Sequence, residues 1–252
     1  MIHGIQNLNF FDFLATVVSE FFSRREIKNI TITVALRQIL FTGYEALSII
    51  TLAAVAVGAV IVLQGNSVLA SFSQSPMYYS ILVAIIPREL SILLTSLIVI
   101  ARSGTAISTE IGNMNINNET LAIYSFGISP IAYLAIPRVI AMIISVVCLT
   151  VYFNFAAFMS SWFINYLSDG VIPSHFIYEL FTTMSITDLL MAIIKSSLFG
   201  FFIGVIACYN GFKVQSSITE VPQRTIKTVV NSVSVMVVLD IIITSLFYLY
   251  LY

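Results

Sequence analysis

The sequence predicts an all-α membrane protein: an N-terminal interfacial helix, five membrane-spanning helices, and a short helix in a polar elbow between spans two and three. Three observations carry this reading. Of 252 residues, 59% are hydrophobic and 9% charged, and mean hydropathy is +1.00. A soluble domain carries roughly 25% charged residues, so this chain cannot clothe a surface in water. The apolar runs are also long and almost free of charge, with none from Ala46 to Ile86 and none from Val139 to Ser168. Finally, Lys and Arg are sorted unevenly between the connections. Lipid offers no partner for backbone amides, so only helices or a closed barrel can cross it, and uniformly apolar runs of this length argue for helices.

Residues 8–23 place Phe10, Leu14, Val17 and Phe21 near one side at helical spacing, with Asp12, Thr16, Ser19 and Glu20 favouring the other. At about 24 Å this segment is short for a span. A helix in the membrane plane, pinned by Arg24, Arg25 and Lys28, fits better than a short core helix. Met1 to Gly4 carries no Lys or Arg, the reverse of a cleavable secretory leader. Span one covers 43–65 with Gly58 inside it, and its polar exit runs from Gln64 through Asn66, Ser67, Ser71, Ser73, Gln74 and Ser75 to Pro76. Span two covers 77–108 and carries Arg88, Glu89 and Arg102. The elbow is 109–129, with a short helix near 117–126. Span three, 131–167, exceeds the roughly 17–25 residues a bilayer needs, so it tilts or projects. A polar connection with a short helix at 174–183 leads to span four, 189–211, which carries Lys195. A polar loop from Lys213 to Lys227 precedes span five, 229–252, which carries Asp240. The whole chain reads as one domain.

Basic residues set the orientation. Arg24, Arg25, Lys28, Arg37, Arg102, Arg138, Lys213, Arg224 and Lys227 all fall on one side if there are five crossings. The opposite connections, 66–80 and 169–187, hold no Lys or Arg. The N-terminus and the elbow are therefore expected in the cytoplasm, and the C-terminus outside.

Arg88, Glu89, Lys195 and Asp240 lie inside apolar runs. Each costs on the order of 2.5–3.5 kcal/mol at a helix centre. Counting at about 1.5 Å per residue puts all four toward the outer half. The reading is an intramembrane polar cluster with Lys195 and Asp240 paired, either as a lock between helices or as a patch beside a lipid headgroup or gate. Arg102, Glu110 and Glu119 read equally well as charges at a membrane–water boundary. His3 and His175 are isolated and read as surface or interfacial residues. Cys148 and Cys208 lack metal or redox spacing and read as buried cysteines. No catalytic triad, zinc set or GxxxxGK[ST] loop is present, so ATP-driven work needs an ATPase on another polypeptide. A net charge of −1 leaves no basic footprint for nucleic acid.

Several stretches, in order and at matching spacing, resemble the MlaE/YrbE permeases, the membrane subunits of lipid ABC transporters that work with MCE-domain proteins. They are LRQILFTG, VLQG, PRELSILLTSLIVIARSGTAISTEIGNM, GISPIAYLAIPR, KSSLFGFFIG and TIKTVVNSVSVMVVLD. The resemblance implies a homodimer in a bacterial inner membrane or a plastid inner envelope. It implies phospholipid or a similar lipid as cargo, a cytoplasmic ABC ATPase that carries the ATP and Mg, and no cofactor or metal on this chain. By position it implies a lipid cavity lined by Leu63, Gln64, Arg88 and Glu89. It also implies an ATPase-coupling elbow involving Arg102, Glu110, Asn118, Glu119 and Gly127, with Lys227 as a basic position at the cytoplasmic end of span five.

Departures from the family pattern are local. The usual Arg-Glu-Leu-Gly-Pro is Arg88-Glu89-Leu90-Ser91-Ile92 here, which predicts a straighter span two. Asn118, Leu121 and Tyr124 stand where the elbow usually has acids, which predicts a more apolar grip on the ATPase. Two other readings compete. A proton-coupled secondary transporter would use Glu89 and Asp240, against which stands the lack of an obvious inverted repeat. A lipid-modifying enzyme would use Glu89 as base, against which stands the lack of a nucleophile, metal set or second carboxylate.

Overall fold

The computed structural model describes residues 9–23, 28–68, 76–215 and 217–251, and among them it is helical with no strand. Helix α1 is Phe10–Ser23 and α2 is Lys28–Val68. Helices α3 (Pro76–Ile85), α4 (Ser91–Val99) and α5 (Thr105–Ile116) follow one another through π-helical turns at Ile86–Leu90 and Ile100–Gly104. Helix α6, Glu119–Ser125, is the short elbow helix. A third π-turn, Ile131–Ala135, leads into α7, Ile136–Asp169. Helix α8 is Pro173–Thr183, α9 is Ile186–Phe212 and α10 is Glu220–Leu251. Five segments of the described residues are long and apolar enough to cross a membrane: Val34–Ser67, Met77–Ile116, Ile131–Asp169, Ile186–Phe212 and Glu220–Leu249. The chain is a multi-pass membrane protein. His3, Arg24, Arg25, Ser71, Ser73, Gln74 and Ser75 lie outside the described residues.

Three helix limits differ from the sequence reading by more than three residues. Helix α2 begins at Lys28 rather than near Gly43, because the ladder continues through a half-polar stretch before the apolar run. The helix that carries span two continues to Ile116, so the non-helical part of the elbow shrinks. The polar residues of 109–115 suggested an elbow, yet they and Ser108 find partners on other helices. Ser108 Oγ accepts from Thr228 Oγ1 at 3.0 Å, and Thr109 and Thr225 hydroxyls meet at 3.0 Å. Helix α10 starts at Glu220 rather than Val229. Pro222 is compatible with a first helical turn, where its missing N–H would have had no partner. The Glu220 carboxylate accepts the Gln215 backbone N–H at 2.8 Å across the entry.

Span two holds a π-helical turn at Ile86–Leu90, directly before Ser91 and Ile92. Pro87 has no N–H to give to the carbonyl four residues back. The ladder slips there, and the Ser91 N–H bonds the carbonyl of Ile86, five back. Such π-turns are frequent at functional sites, and this one contains both Arg88 and Glu89.

The described residues form two compact units, one drawn from Met1–Glu45, Val99–Val146 and Ser197–Tyr252, the other from Ala46–Ile98 and Val147–Ser196. In the first, α1 buries Phe13 and Val17 and leaves Phe11, Val18 and Phe21 exposed. Phe13 stacks near Tyr209 and Phe212 at ring separations of 5.6 and 6.0 Å. The elbow helix α6 is bracketed by two left-handed residues, Asn118 at φ 60° and Gly127 at φ 77°. Gly127 tolerates that angle without the Cβ penalty, and its N–H closes the last turn onto Tyr124 O at 2.9 Å. In the second unit, α3 meets α8 through Tyr79 and Phe176, with rings 5.7 Å apart. Helix α7 meets α2 through Ser160 Oγ donating to Val55 O at 2.9 Å and Ser161 Oγ donating to Gly58 O at 3.1 Å.

Candidate functional site

The π-turn at Ile86–Leu90 places two adjacent, opposite charges on the same stretch of span two, and the second unit supplies a counter-charge to each. Lys195 of α9, its side chain fully buried, donates from Nζ to Glu89 Oε2 at 2.9 Å and to the Arg88 carbonyl at 3.3 Å. The Arg88 guanidinium Nε lies 2.8 Å from Asp188 Oδ1. Asp188 is almost fully buried, while Arg88 and Glu89 keep 26% and 32% of their side chains exposed. The ion pairs are thus buried at the α9 end and open at the span-two end, where a polar ligand could reach them. Carbonyls left without ladder partners around a π-turn are good acceptors, and Lys195 uses the one at Arg88.

Asp188 has no part in the sequence reading. It is positioned by a reciprocal cap at the start of α9. The Ser185 N–H donates to Asp188 Oδ2 at 3.0 Å, the Asp188 N–H donates to Ser185 O at 3.0 Å, and the Thr187 N–H reaches Ser185 Oγ at 3.4 Å. The signal that could have found it is the spacing Ser185-x-x-Asp188 before an apolar run. One carboxylate therefore both caps α9 and balances Arg88. Asp188→Ala is expected to lower thermal stability more than Asp188→Asn, which keeps the capping acceptor. The alanine loses the cap, about 1 kcal/mol, and the counter-ion, about 3 kcal/mol at the low end for a buried pair because Arg88 is partly hydrated. Melting of the two purified variants checks the order.

Leu63 and Gln64 are both exposed near the end of α2, with Ser67 Oγ donating back to the Gln64 carbonyl at 2.7 Å. Asp240 sits half-buried on α10. The expected Lys195–Asp240 pair would join residues of different units and is taken up below.

The residues expected at the elbow separate into two kinds. Arg102 pairs with Glu45, donates to the Phe41 carbonyl at 3.0 Å and sits 5.1 Å from the centre of the Phe41 ring. Glu110 pairs with the buried Arg138 at 2.9 Å, and Arg138 also donates to Leu134 O at 2.9 Å. These two charges tie span two to α2 and α7. Asn118 and Glu119 are exposed, and Asn117 Nδ2 donates to Glu119 Oε1 at 3.2 Å. Leu121, Tyr124 and Phe126 are exposed beside them, giving the elbow an apolar outer face, while Thr120 is buried. Lys227 is exposed in the second turn of α10. Among the described residues, no group of three or more His, Cys, Asp or Glu is placed to hold a metal ion.

The family model for the MlaE permease matches residues 35–246. A probable ABC transporter permease protein of Rickettsia prowazekii is 30% identical over 217 residues, covering 86% of this chain and 84% of its own. The intermembrane phospholipid transport system permease protein MlaE of Haemophilus influenzae is 27% identical over 213 residues, 84% of this chain and 82% of its own. The chloroplastic protein TRIGALACTOSYLDIACYLGLYCEROL 1 of Arabidopsis thaliana is 28% identical, again over 84% of this chain and 61% of its own. The matched region takes in the π-turn charges, the elbow, Lys195 and Asp240.

Proposed function

The chain belongs to the MlaE permease family, and from that premise we propose that it is the membrane subunit of an ATP-driven transporter that moves phospholipid, or a similar lipid, between membranes. The observation that carries this is the half-open ion-pair cluster of Arg88, Glu89, Lys195 and Asp188 within spans two and four. Charges within a span mark a substrate path by default, and one flanked by apolar walls suits a headgroup with its chains. Leu63 and Gln64, both exposed, are assigned to the same lipid path. The name of the Haemophilus relative supports phospholipid as cargo.

In this reading two copies form the transporter in a bacterial inner membrane, with the N-terminus inside and α1 in the interface, its exposed Phe11 and Phe21 facing lipid. A separate ABC ATPase carries ATP and Mg and grips the elbow, where Leu121, Tyr124 and Phe126 offer an apolar contact. An MCE-domain protein receives or delivers lipid on the outer side. ATP-driven closure of the ATPase pulls on the elbows and rearranges spans one, two and five. Coupling requires that the ATPase bind the two permease states with different affinity.

The test is lipid transfer in proteoliposomes with the complex purified through this chain. Transfer of a fluorescent phosphatidylethanolamine should need ATP and ignore a pH gradient. Transfer driven by the gradient without ATP would favour a proton-coupled carrier using Glu89 and Asp240. Lys195 is also proposed to share Asp240 as a counter-ion. Asp240→Ala should then impair transfer more in a Glu89→Gln background than in the unaltered chain, because the buried cation keeps its Glu89 partner until that carboxylate is also removed. Equal losses would end the pairing idea.

A further inference from the structure

We propose that Asn115 is a positioning residue for transport, latching the end of span two to the end of span four so that elbow motion is passed to the α9–α10 turn. This rests on the ATP-driven reading above. The last carbonyls of a helix have no partner within it. At the end of α9 the Asn115 side-chain amide supplies one. Its Nδ2 lies 3.0 Å from Phe212 O and 3.3 Å from both Gly211 O and Val214 O. An amide NH2 has two hydrogens, so three carbonyls share them and the group sits at their centre. The Asn115 backbone carbonyl meanwhile accepts the Asn118 N–H at 3.1 Å, closing the turn that carries Asn118 into its left-handed conformation. One residue thus holds the start of the elbow with its backbone and the end of α9 with its side chain.

An independent observation points the same way. The backbones of α5 and α9 touch just before the latch. A methyl group on Gly211 would come within 2.8 Å of Ile111 Cβ and 3.0 Å of Ser108 O, and one on Gly112 within 3.0 Å of Val214 Cγ2. The close approach stops the two helix ends from sliding, and the amide latch also stops them from separating. Without it, a pull on α6 that reaches α5 through 116–118 could part α5 from the end of α9 and fail to reach the α9–α10 turn.

The experiment uses the complex purified through this chain with the ATPase that accompanies it, in proteoliposomes carrying fluorescent phosphatidylethanolamine. Asn115→Ala, and Asn115→Asp, which turns acceptor oxygens toward the carbonyls, should keep ATP hydrolysis within about twofold while lipid moved per ATP falls at least tenfold. Asn115→Gln, which keeps the amide, should retain more transfer than either. A merely structural role would lower hydrolysis and transfer together, in proportion to folded complex, and would overturn the proposal. Unchanged transfer per ATP in the alanine and aspartate variants would also overturn it. If those variants fail to assemble, spin labels on Glu119→Cys and Gln215→Cys, in a chain that keeps Asn115 and has Cys148 and Cys208 replaced by serine, decide. Their separation should stay fixed through the nucleotide cycle, and a nucleotide-dependent change would refute the single body. Absence of ATP-dependent transfer in the unaltered complex would instead count against the transport reading itself.

Discussion

Replacing Glu89 with alanine is expected to cost about 3 kcal/mol of stability, the low end for breaking a buried ion pair, and to abolish most lipid transfer. Lys195 is fully buried, and Glu89 Oε2 lies 2.9 Å from its ammonium. Removing the carboxylate leaves the cation leaning on the Arg88 carbonyl and its remaining neighbours. Glu89→Gln keeps size and an acceptor oxygen, so its loss should be smaller than alanine's. Adding Lys195→Met to Glu89→Ala removes the cation that the first change exposed to an apolar setting, and should recover part of the lost stability. Transfer should not recover, because the proposed lipid path still lacks the Glu89 carboxylate. Thermal melting in detergent and transfer in proteoliposomes separate the two effects. Alanine and glutamine variants of equal stability, with no recovery from Lys195→Met, would mean that Glu89 is not the counter-ion of Lys195.

Gly58→Ala is the second large effect, and it acts through backbone contact alone. A Cβ on Gly58 would lie 2.3 Å from the Ala157 carbonyl oxygen and 2.4 Å from Ser160 Oγ. The first is main chain and cannot swing aside, so α2 and α7 must separate. That also stretches the bonds from Ser160 to Val55 and from Ser161 to Gly58. Overpacking of this kind costs about 1–3 kcal/mol and sometimes more, and Gly58→Val should prevent accumulation of the folded protein. Gly43, on the same helix, is the control. Nothing lies within 4 Å of a Cβ there, so Gly43→Ala should be neutral or stabilise by up to about 1 kcal/mol through helix propensity. Similar melting for Gly58→Ala and Gly43→Ala would contradict the close approach.

What could be read from the chain depended on how local the signal was. The five crossings follow from long apolar runs with few or no charges and from the sorting of Lys and Arg between them, which need no knowledge of neighbours. The elbow helix near 117–126 and the short helix near 174–183 follow from polar breaks around short apolar patches, and α6 and α8 lie there. Arg88, Glu89 and Lys195 stood out because charge inside an apolar run is locally anomalous. Partners were harder. Asp188 sits about a hundred residues from Arg88 and at the edge of its run, where an acid excites no suspicion. The polar stretch 109–115 resembled an elbow because Thr109, Glu110 and Asn115 find partners on α10, on α7 and at the end of α9, far off in sequence. The π-turns were partly legible, since Pro87 and Pro137 flag a lost N–H, but the slip of the ladder depends on packing around it.

The account depends most on an elbow that faces the cytoplasm, where an ATPase can grip it. The direct measurement is labelling of Glu119→Cys by a membrane-impermeant maleimide in intact and opened cells, with Cys148 and Cys208 replaced by serine and Ser174→Cys as the opposite-side control. Both Glu119 and Ser174 are exposed in helices and accept cysteine without backbone strain. The account predicts that Glu119→Cys labels only after the membrane is opened, and that Ser174→Cys labels before. Labelling of Glu119→Cys in intact cells would put the elbow outside and contradict it.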